Sequence, residues 1–267
     1  MLEYNLGLLL EQVRKRRPLV HCISNPVVLN FTANVLLAMG ASPIMAHNMK
    51  EVEEIVSAAG ALVLNLGMPS EKRGESMILA GKAANRRAIP VVLDPVGTGL
   101  THLRSELVLR ITEEVELAVI CGNASEILAL AGTSDKPRGV EAAHAVEEAI
   151  AVGRQIAEKL PAVIAITGPI DLITDGNSVV RCRNGHPLLA SIAGSGCAAS
   201  AIIAAFAAVH GNPLEAAAAG LAFLGLAGER AGEEADAPGS FMAGLLDALS
   251  RLSPEEFDAG ARLQGLQ

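Results

Sequence analysis

Three stretches hold the residue types most able to do chemistry. Asp94 stands in VVLDPVGTG, Glu126 in GNASE, and Cys197 follows two glycines in IAGSGCAAS. A carboxylate ending an apolar run, ahead of a proline–glycine loop, suits a hard cation or a phosphate loop; it equally suits a turn or helix cap. GNASE reads as an N-cap asparagine with an acid in the first turn, which is ordinary helix chemistry. Gly194-Ser195-Gly196-Cys197 opens a long uncharged run. Its glycines either let backbones pack closely or leave backbone N–H groups facing an anion. Together, two carboxylates and a glycine-rich helix start make the parts of a metal–nucleotide phosphate site. No G-x-x-x-x-G-K-[ST] occurs, so the P-loop route to a nucleotide is excluded. The G-S-G-C turn is also too short and too late for a dinucleotide fingerprint.

These residues need elements to hold them. Short apolar runs PLVHCI (18–23), SPIMA (42–46), ALVLNLG (61–67), IPVVLDPVG (89–97), ELAVICGN (116–123) and AVIAITG (162–168) alternate with helical patterns at 27–40, 49–60, 69–88 and 139–160. Continuous apolar strands separated by helices predict a parallel sheet covered on both faces. In such sheets ligands bind beyond the carboxyl ends of the strands. The polar residues there are Asn25, Met45 with His47, Asn65 with Gly67, Asp94 to Gly97, Cys121-Gly122-Asn123, and Thr167-Gly168. DLITDGNSVVRC (171–182) predicts a hairpin turning at Asp175-Gly176-Asn177. From Gly194 onward the pattern is helical throughout, broken at Asn212-Pro213 and Pro238-Gly239. No linker or repeat divides the chain, which predicts one α/β domain over residues 1–267.

Composition narrows the class. Of 267 residues 51% are hydrophobic, yet there are five Phe, one Tyr and no Trp, so the core must be aliphatic. A net charge of −8 argues against nucleic acid as a partner. The one basic run, Arg14-Lys15-Arg16-Arg17, reads as a solvated helix C-terminus. Residues 188–213 carry no charge, but the Gly-Ser-Gly break makes them a loop and a buried helix rather than a membrane span. No secretory signal is visible, and the four cysteines show neither CxxC pairing nor metal-type spacing. They are expected to be free thiols in a cytoplasmic protein. Cys22 and Cys182 read as core residues. His21, His102, His144, His186 and His210 are scattered singly and read as structural or surface residues.

Eight stretches in order carry a resemblance over nearly the whole chain: SNPVVLNFTANVLLAMGASPIMAHN, ALVLNLG, VVLDPVGTG, GNASEI, AITGPIDLITDG, NGHPLL, GSGC and PGSF. They resemble the hydroxyethylthiazole kinases, thiamin-salvage members of the ribokinase-like superfamily. The resemblance implies a three-layer α/β sandwich with a mostly parallel central sheet, assembled as a homotrimer with sites between subunits. It also implies Mg²⁺-assisted transfer of the ATP γ-phosphate to the primary alcohol of 4-methyl-5-(2-hydroxyethyl)thiazole.

Carried over by position, Met45, Asn25 and Gly194 fall to the thiazole site. Position 121, Asn123 and Thr167 fall to ATP, and Asp94 and Glu126 to the metal. Gly194, Ser195, Gly196 and Cys197 would form an anion hole. Cys197, where most superfamily sugar kinases carry Asp, would orient the hydroxyl or accept its proton, aided by a helix N-terminus that favours thiolate. One departure stands out. The thiazole kinases usually read Arg-Gly-Asn where this chain reads Cys121-Gly122-Asn123, losing an arginine that contacts ATP phosphate; Lys72 and Arg73 are candidate replacements. The rival readings are a kinase of another small heteroaromatic alcohol, such as hydroxymethylpyrimidine, a dehydratase of hydrated nicotinamide nucleotides on the same fold, and a catalytically silent nucleotide-binding regulator.

Overall fold

All six apolar runs form strands, β1 (Leu19–Ile23), β2 (Ser42–Met45), β3 (Ala61–Asn65), β4 (Val91–Asp94), β5 (Val119–Asn123) and β6 (Val163–Thr167), and they pair in parallel. The structure, a computed structural model, describes residues 5–132 and 142–266. The expected hairpin is β7 (Asp171–Thr174) and β8 (Val179–Cys182). A last strand, β9 (Leu263–Leu266), pairs antiparallel with β8. The sheet order is β2-β1-β3-β4-β5-β6-β7-β8-β9, parallel up to β6 and antiparallel beyond it.

Side-chain alternation sorts the strands into two cores. Val20 and Cys22, Ala61 and Val63, Val92, Val119 and Cys121, and Val163 and Ala165 face one helical layer. That layer holds α1 (Leu6–Arg16), α2 (Leu29–Met39), α8 (Ser195–Ala207), α9 (Pro213–Glu234), α10 (Pro238–Arg251) and α11 (Pro254–Gly260). Leu62 and Leu64, Val91 and Leu93, Ile120, and Ile164 and Ile166 face the other. There lie α3 (Val52–Ala58), α4 (Glu71–Asn85), α5 (His102–Glu114), α6 (Ala124–Leu130) and α7 (Ala142–Lys159). A sheet covered on both faces explains why its parallel strands read as unbroken apolar runs.

The aliphatic core is the expected one. Alanines dominate the buried faces of α8 and α9, and Phe206, Phe223 and Phe257 meet with ring centroids 5.2–6.2 Å apart. Among the described residues no helix is long and apolar enough to cross a membrane, and all four cysteines are unpaired. Cys22 and Cys182 are buried in the α8–α9 core.

Two expectations need correction. The chain after Gly194 is not wholly helical, because β9 adds a strand; four residues of mixed polarity are too short for a period to show. The basic run is not simply solvated. Arg14 is drawn over α10, where its Nη2 donates to the carbonyls of Leu249 and Ser250 at 3.3 and 3.2 Å and so satisfies two helix-end acceptors. The helix expected over 139–160 is observed as α7 from Ala142; residues 139–141 and the side chain of His144 lie outside the described residues.

His21 is structural, as expected, and gives a pH test. It is fully buried on β1, its Nε2–H donates to the Ala46 carbonyl at 2.9 Å, and its Nδ1 has no partner. Burial lowers its pKa from 6.5, outweighing the opposite pulls of the Ala46 carbonyl and Glu51. A histidine whose folded pKa is depressed contributes stability above its unfolded pKa, and that stability is lost as pH falls through the folded value. We predict that the melting temperature declines from pH 6.5 downward, less steeply in His21→Gln, which keeps a donor to Ala46. Asp94 and Asp171, both raised in pKa, act in the opposite sense. The test is therefore the difference between parent and variant, and equal acid limbs would refute it.

Candidate active site

The same alternation that sorts the cores sets the strand tips. Asn65, Asp94, Asn123 and Thr167 continue the series facing the α8 layer. Asn65 lies in register with Asp94, and Asn123 with Thr167. Above them α8 begins at Gly194, whose φ of 93° is the left-handed conformation that glycine adopts without steric cost. A side chain there would also strike Val28 and Phe31 at the start of α2.

The first α8 amide bonded within the helix is that of Ala198, to the Gly194 carbonyl at 2.8 Å. The amides of Ser195, Gly196 and Cys197 precede it, and no side chain caps this end. By contrast Ser70, Thr101 and Asn123 cap α4, α5 and α6. An uncapped N-terminus over a row of strand tips leaves backbone amides of the kind that bind anions.

A cavity of about 160 Å³ lies between them, lined by Asp94, Cys121, Asn123, Glu126, Thr167, Gly194, Gly196 and Cys197. Thr167 and Gly196 also line a neighbouring cavity of about 580 Å³, with Ser195, Asp171, Asn184 and His186. The expected catalytic, metal and ATP residues therefore converge. Met45 and Asn25 do not line either cavity. Met45 ends edge strand β2, half-buried, and Asn25 lies beneath the site bonded to Asn65. A larger groove of about 1080 Å³ runs along the opposite, amino ends of β4, β5 and β6. It lacks the convergence of carboxylates on an uncapped helix, which makes the carboxyl ends the candidate site.

The local chemistry is acidic. Asp94 is 4% exposed, and its pKa is pushed up to about 7 by burial and then by Glu126, against hydrogen bonds from Asn65, Cys197 and Ser200. Cys121 is raised well above its ordinary value by burial and by Asp94. Glu126 completes a capping box: its Oε2 accepts from Asn123 N at 2.9 Å while Asn123 Oδ1 accepts from Glu126 N at 3.0 Å. Its Oε1 holds Gly97 N at 3.0 Å. The capping reading of GNASE is thus fulfilled, and the same carboxylate lines the cavity.

The thiolate expectation is overturned. Burial, then the charge of Asp94, push Cys197 up to about 12. Lys72 and Arg73 line neither cavity, and Arg73 Nη1 is spent on the Met68 carbonyl at 2.7 Å. Three residues gain roles here. Asn65 bonds to both Asp94 and Cys197, Asp171 lines the larger cavity, and Arg104 ties the carbonyls of Leu66 and Val96 together. For Asn65 the signal was its strand-tip parity with Val63. Arg104 sits in a helix and gave none.

The sequence matches the hydroxyethylthiazole kinase family over residues 10–255. The chain belongs to that family. A hydroxyethylthiazole kinase of Desulfotalea psychrophila is 50% identical over 255 residues, covering 96% of this chain and 93% of the relative. One from Chloroflexus aggregans is 48% identical, covering 96% and 92%. The solved structure of hydroxyethylthiazole kinase protein from Pyrococcus horikoshii OT3 superposes with a TM-score of 0.91 at 39% identity, over 98% of this chain and 99% of that one. Pyridoxal kinase from Staphylococcus aureus, solved with AMP-PCP and pyridoxal, gives a TM-score of 0.63 at 16% identity over 93% and 98%, a likeness of fold alone. The expected ribokinase-like α/β sandwich is the family's fold, and the chain is a kinase of that fold.

Proposed function

We propose that this family member, as a single domain, transfers the γ-phosphoryl group of ATP to the primary alcohol of 4-methyl-5-(2-hydroxyethyl)thiazole, for thiamin salvage. The observation that carries the reading is the convergence of Asp94, Cys197 and the uncapped Gly194–Cys197 turn on one cavity. The nucleotide lies along the larger cavity past Thr167, and its terminal phosphate reaches the smaller one beside Asn123 and meets the amides of the turn. The alcohol oxygen attacks phosphorus as the bond to the β-phosphate oxygen breaks. Such transition states are loose, so the hydroxyl proton leaves late, to an oxygen of the transferred phosphoryl group, and positioning dominates. Cys197 acts as a thiol: it donates toward Asp94 and accepts a hydrogen bond from the alcohol.

Mg²⁺ fits this site. Burial, and after it neighbouring carboxylates, raise Asp94, Cys121 and Cys197 in pKa, and among the described residues no lysine or arginine lines either cavity. Two carboxylates plus phosphate oxygens and water are the ligands magnesium commonly takes; no cluster of three protein ligands occurs among the described residues. Asp94 and Glu126 would hold the ion, which when bound offsets the negative charge of the phosphates.

Met45 stands on the sheet edge with Val27, Met49 and Met68 exposed in the nearby loops. A thiazole pocket completed by a second subunit fits that placement, and a homotrimer is the assembly proposed; a fully active monomer in light scattering would refute it. Four unpaired cysteines support a cytoplasmic setting.

The test is ATP-dependent phosphorylation across thiazole, pyrimidine and pyridine alcohols, followed by ADP release. Preferential turnover of the thiazole alcohol is expected, and no turnover of any would remove the reading. Cys121 offers a second measurement. An arginine there enters a field of three carboxylates, Asp94, Asp171 and Glu126, and supplies a charged fork that a thiol cannot. We predict that Cys121→Arg tightens ATP by ~1.5–3 kcal/mol, roughly ten-fold or more in Kd, with thiazole affinity unchanged. Equal or weaker ATP binding by calorimetric titration would show that the site is built around the cysteine.

A further inference from the structure

We propose that Asn65 is a positioning residue that fixes how Asp94 and Cys197 present themselves to the reacting groups. This rests on the assignment of those two residues above. Asn65 is 1% exposed at the tip of β3, and all of its hydrogen-bonding capacity is used. Its Oδ1 accepts from Gly67 N at 3.0 Å and from Asn25 Nδ2 at 2.9 Å. Its Nδ2 donates to Asp94 Oδ2 and, at 3.1 Å, to Cys197 Sγ. A carboxamide has two donor hydrogens and two acceptor lone pairs, so nothing is left over.

The orientation of this amide follows from the backbone. Gly67 N–H can only donate, so the atom facing it must be the oxygen, and the nitrogen must face Asp94 and Cys197. Asn25 is fixed in the same way, because its Oδ1 accepts from Val27 N at 3.1 Å and leaves its nitrogen for Asn65. Two backbone amides thereby set two carboxamides, and the second requires acceptors on both Asp94 Oδ2 and Cys197 Sγ. The cysteine sulfur must keep its proton off that side, where it is free to point at Asp94. The loop presses on the pair: a Cβ at Gly67 would fall on the Asn25 carboxamide and 2.9 Å from Asn65 Oδ1. Asn65 itself lines neither cavity, so it acts through its partners.

Asn65→Asp keeps the shape and the acceptors but turns an acceptor toward Asp94 and Cys197. With the thiazole alcohol and ATP, kcat should fall about 10- to 100-fold, the range for groups that orient metal-ligating residues, while both KM values change little. In an Asp94→Asn background the same substitution should cause little further loss, because a donor at position 94 then meets the new acceptor. Gly67→Ala is the second variant: it displaces the amide pair without touching Asp94 or Cys197, and should also lower kcat with KM preserved. It decides the matter if Asn65→Asp does not fold. Parental kcat in the Asn65 or Gly67 variant, or a full independent loss in the Asp94→Asn background, overturns the proposal while leaving the site assignment standing. Parental kcat in both Asp94→Asn and Cys197→Ala instead overturns the site assignment, and this proposal with it.

Discussion

Asp94→Asn is expected to lower kcat by about two orders of magnitude or more, the scale of losing an electrostatic contribution of a few kcal/mol, with thiazole binding nearly intact. The substitution keeps the shape, and a carboxamide at 94 still offers an oxygen to Asn65 Nδ2. What disappears is the charge proposed to hold the cation. Stability should move the other way. The folded pKa of Asp94 is raised, so its ionised form opposes folding above about pH 7, and that penalty vanishes below the ordinary carboxylate value of 3.8. Without Mg²⁺, the variant should therefore melt higher than the parent at pH 8, by a margin that shrinks toward pH 5. Near-normal turnover would sink the metal assignment. An unchanged margin between the two pH values would sink the electrostatic account.

Cys197→Ala carries the second large effect. With the thiol held protonated by burial and by Asp94, alanine removes a donor to the carboxylate and an acceptor for the alcohol together. A loss of about 10- to 10³-fold in kcat is expected, the range around a missing proton-transfer or positioning group. Cys197→Asp should stay active. Its carboxylate accepts from Asn65 Nδ2 as the sulfur does, and shares a proton with its neighbour Asp94. An alanine variant as fast as the parent would return Cys197 to a packing role.

Much of this was legible in the sequence because parallel strands buried on both faces leave unbroken apolar runs, and their polar ends mark the site. ALVLN and VVLD gave both the strands and their tips. What escaped has physical reasons. The Leu263–Leu266 strand is too short for a period, and its pairing with β8 joins residues far apart in the chain, from Val179↔Leu266 to Cys182↔Leu263. The protonation of Cys197 was misjudged because a helix N-terminus is a local feature, whereas burial and Asp94 come from the assembled sheet. Asn65 stood at a recognised strand end. Its partners, 29 and 132 residues away, became visible only in the fold.

The register Asn65↔Asp94 sits at the end of a ladder in which odd and even positions look into different layers. Catalytic geometry in this chain is thus a matter of parity. Length changes in the connecting loops leave that parity untouched and are absorbed at the surface. A single residue inserted within β3 or β4 would turn the tip away from α8 and toward the opposite helices. Changing by one the count of residues between the core valines and the strand tips would separate Asn65 from Asp94 and Cys197.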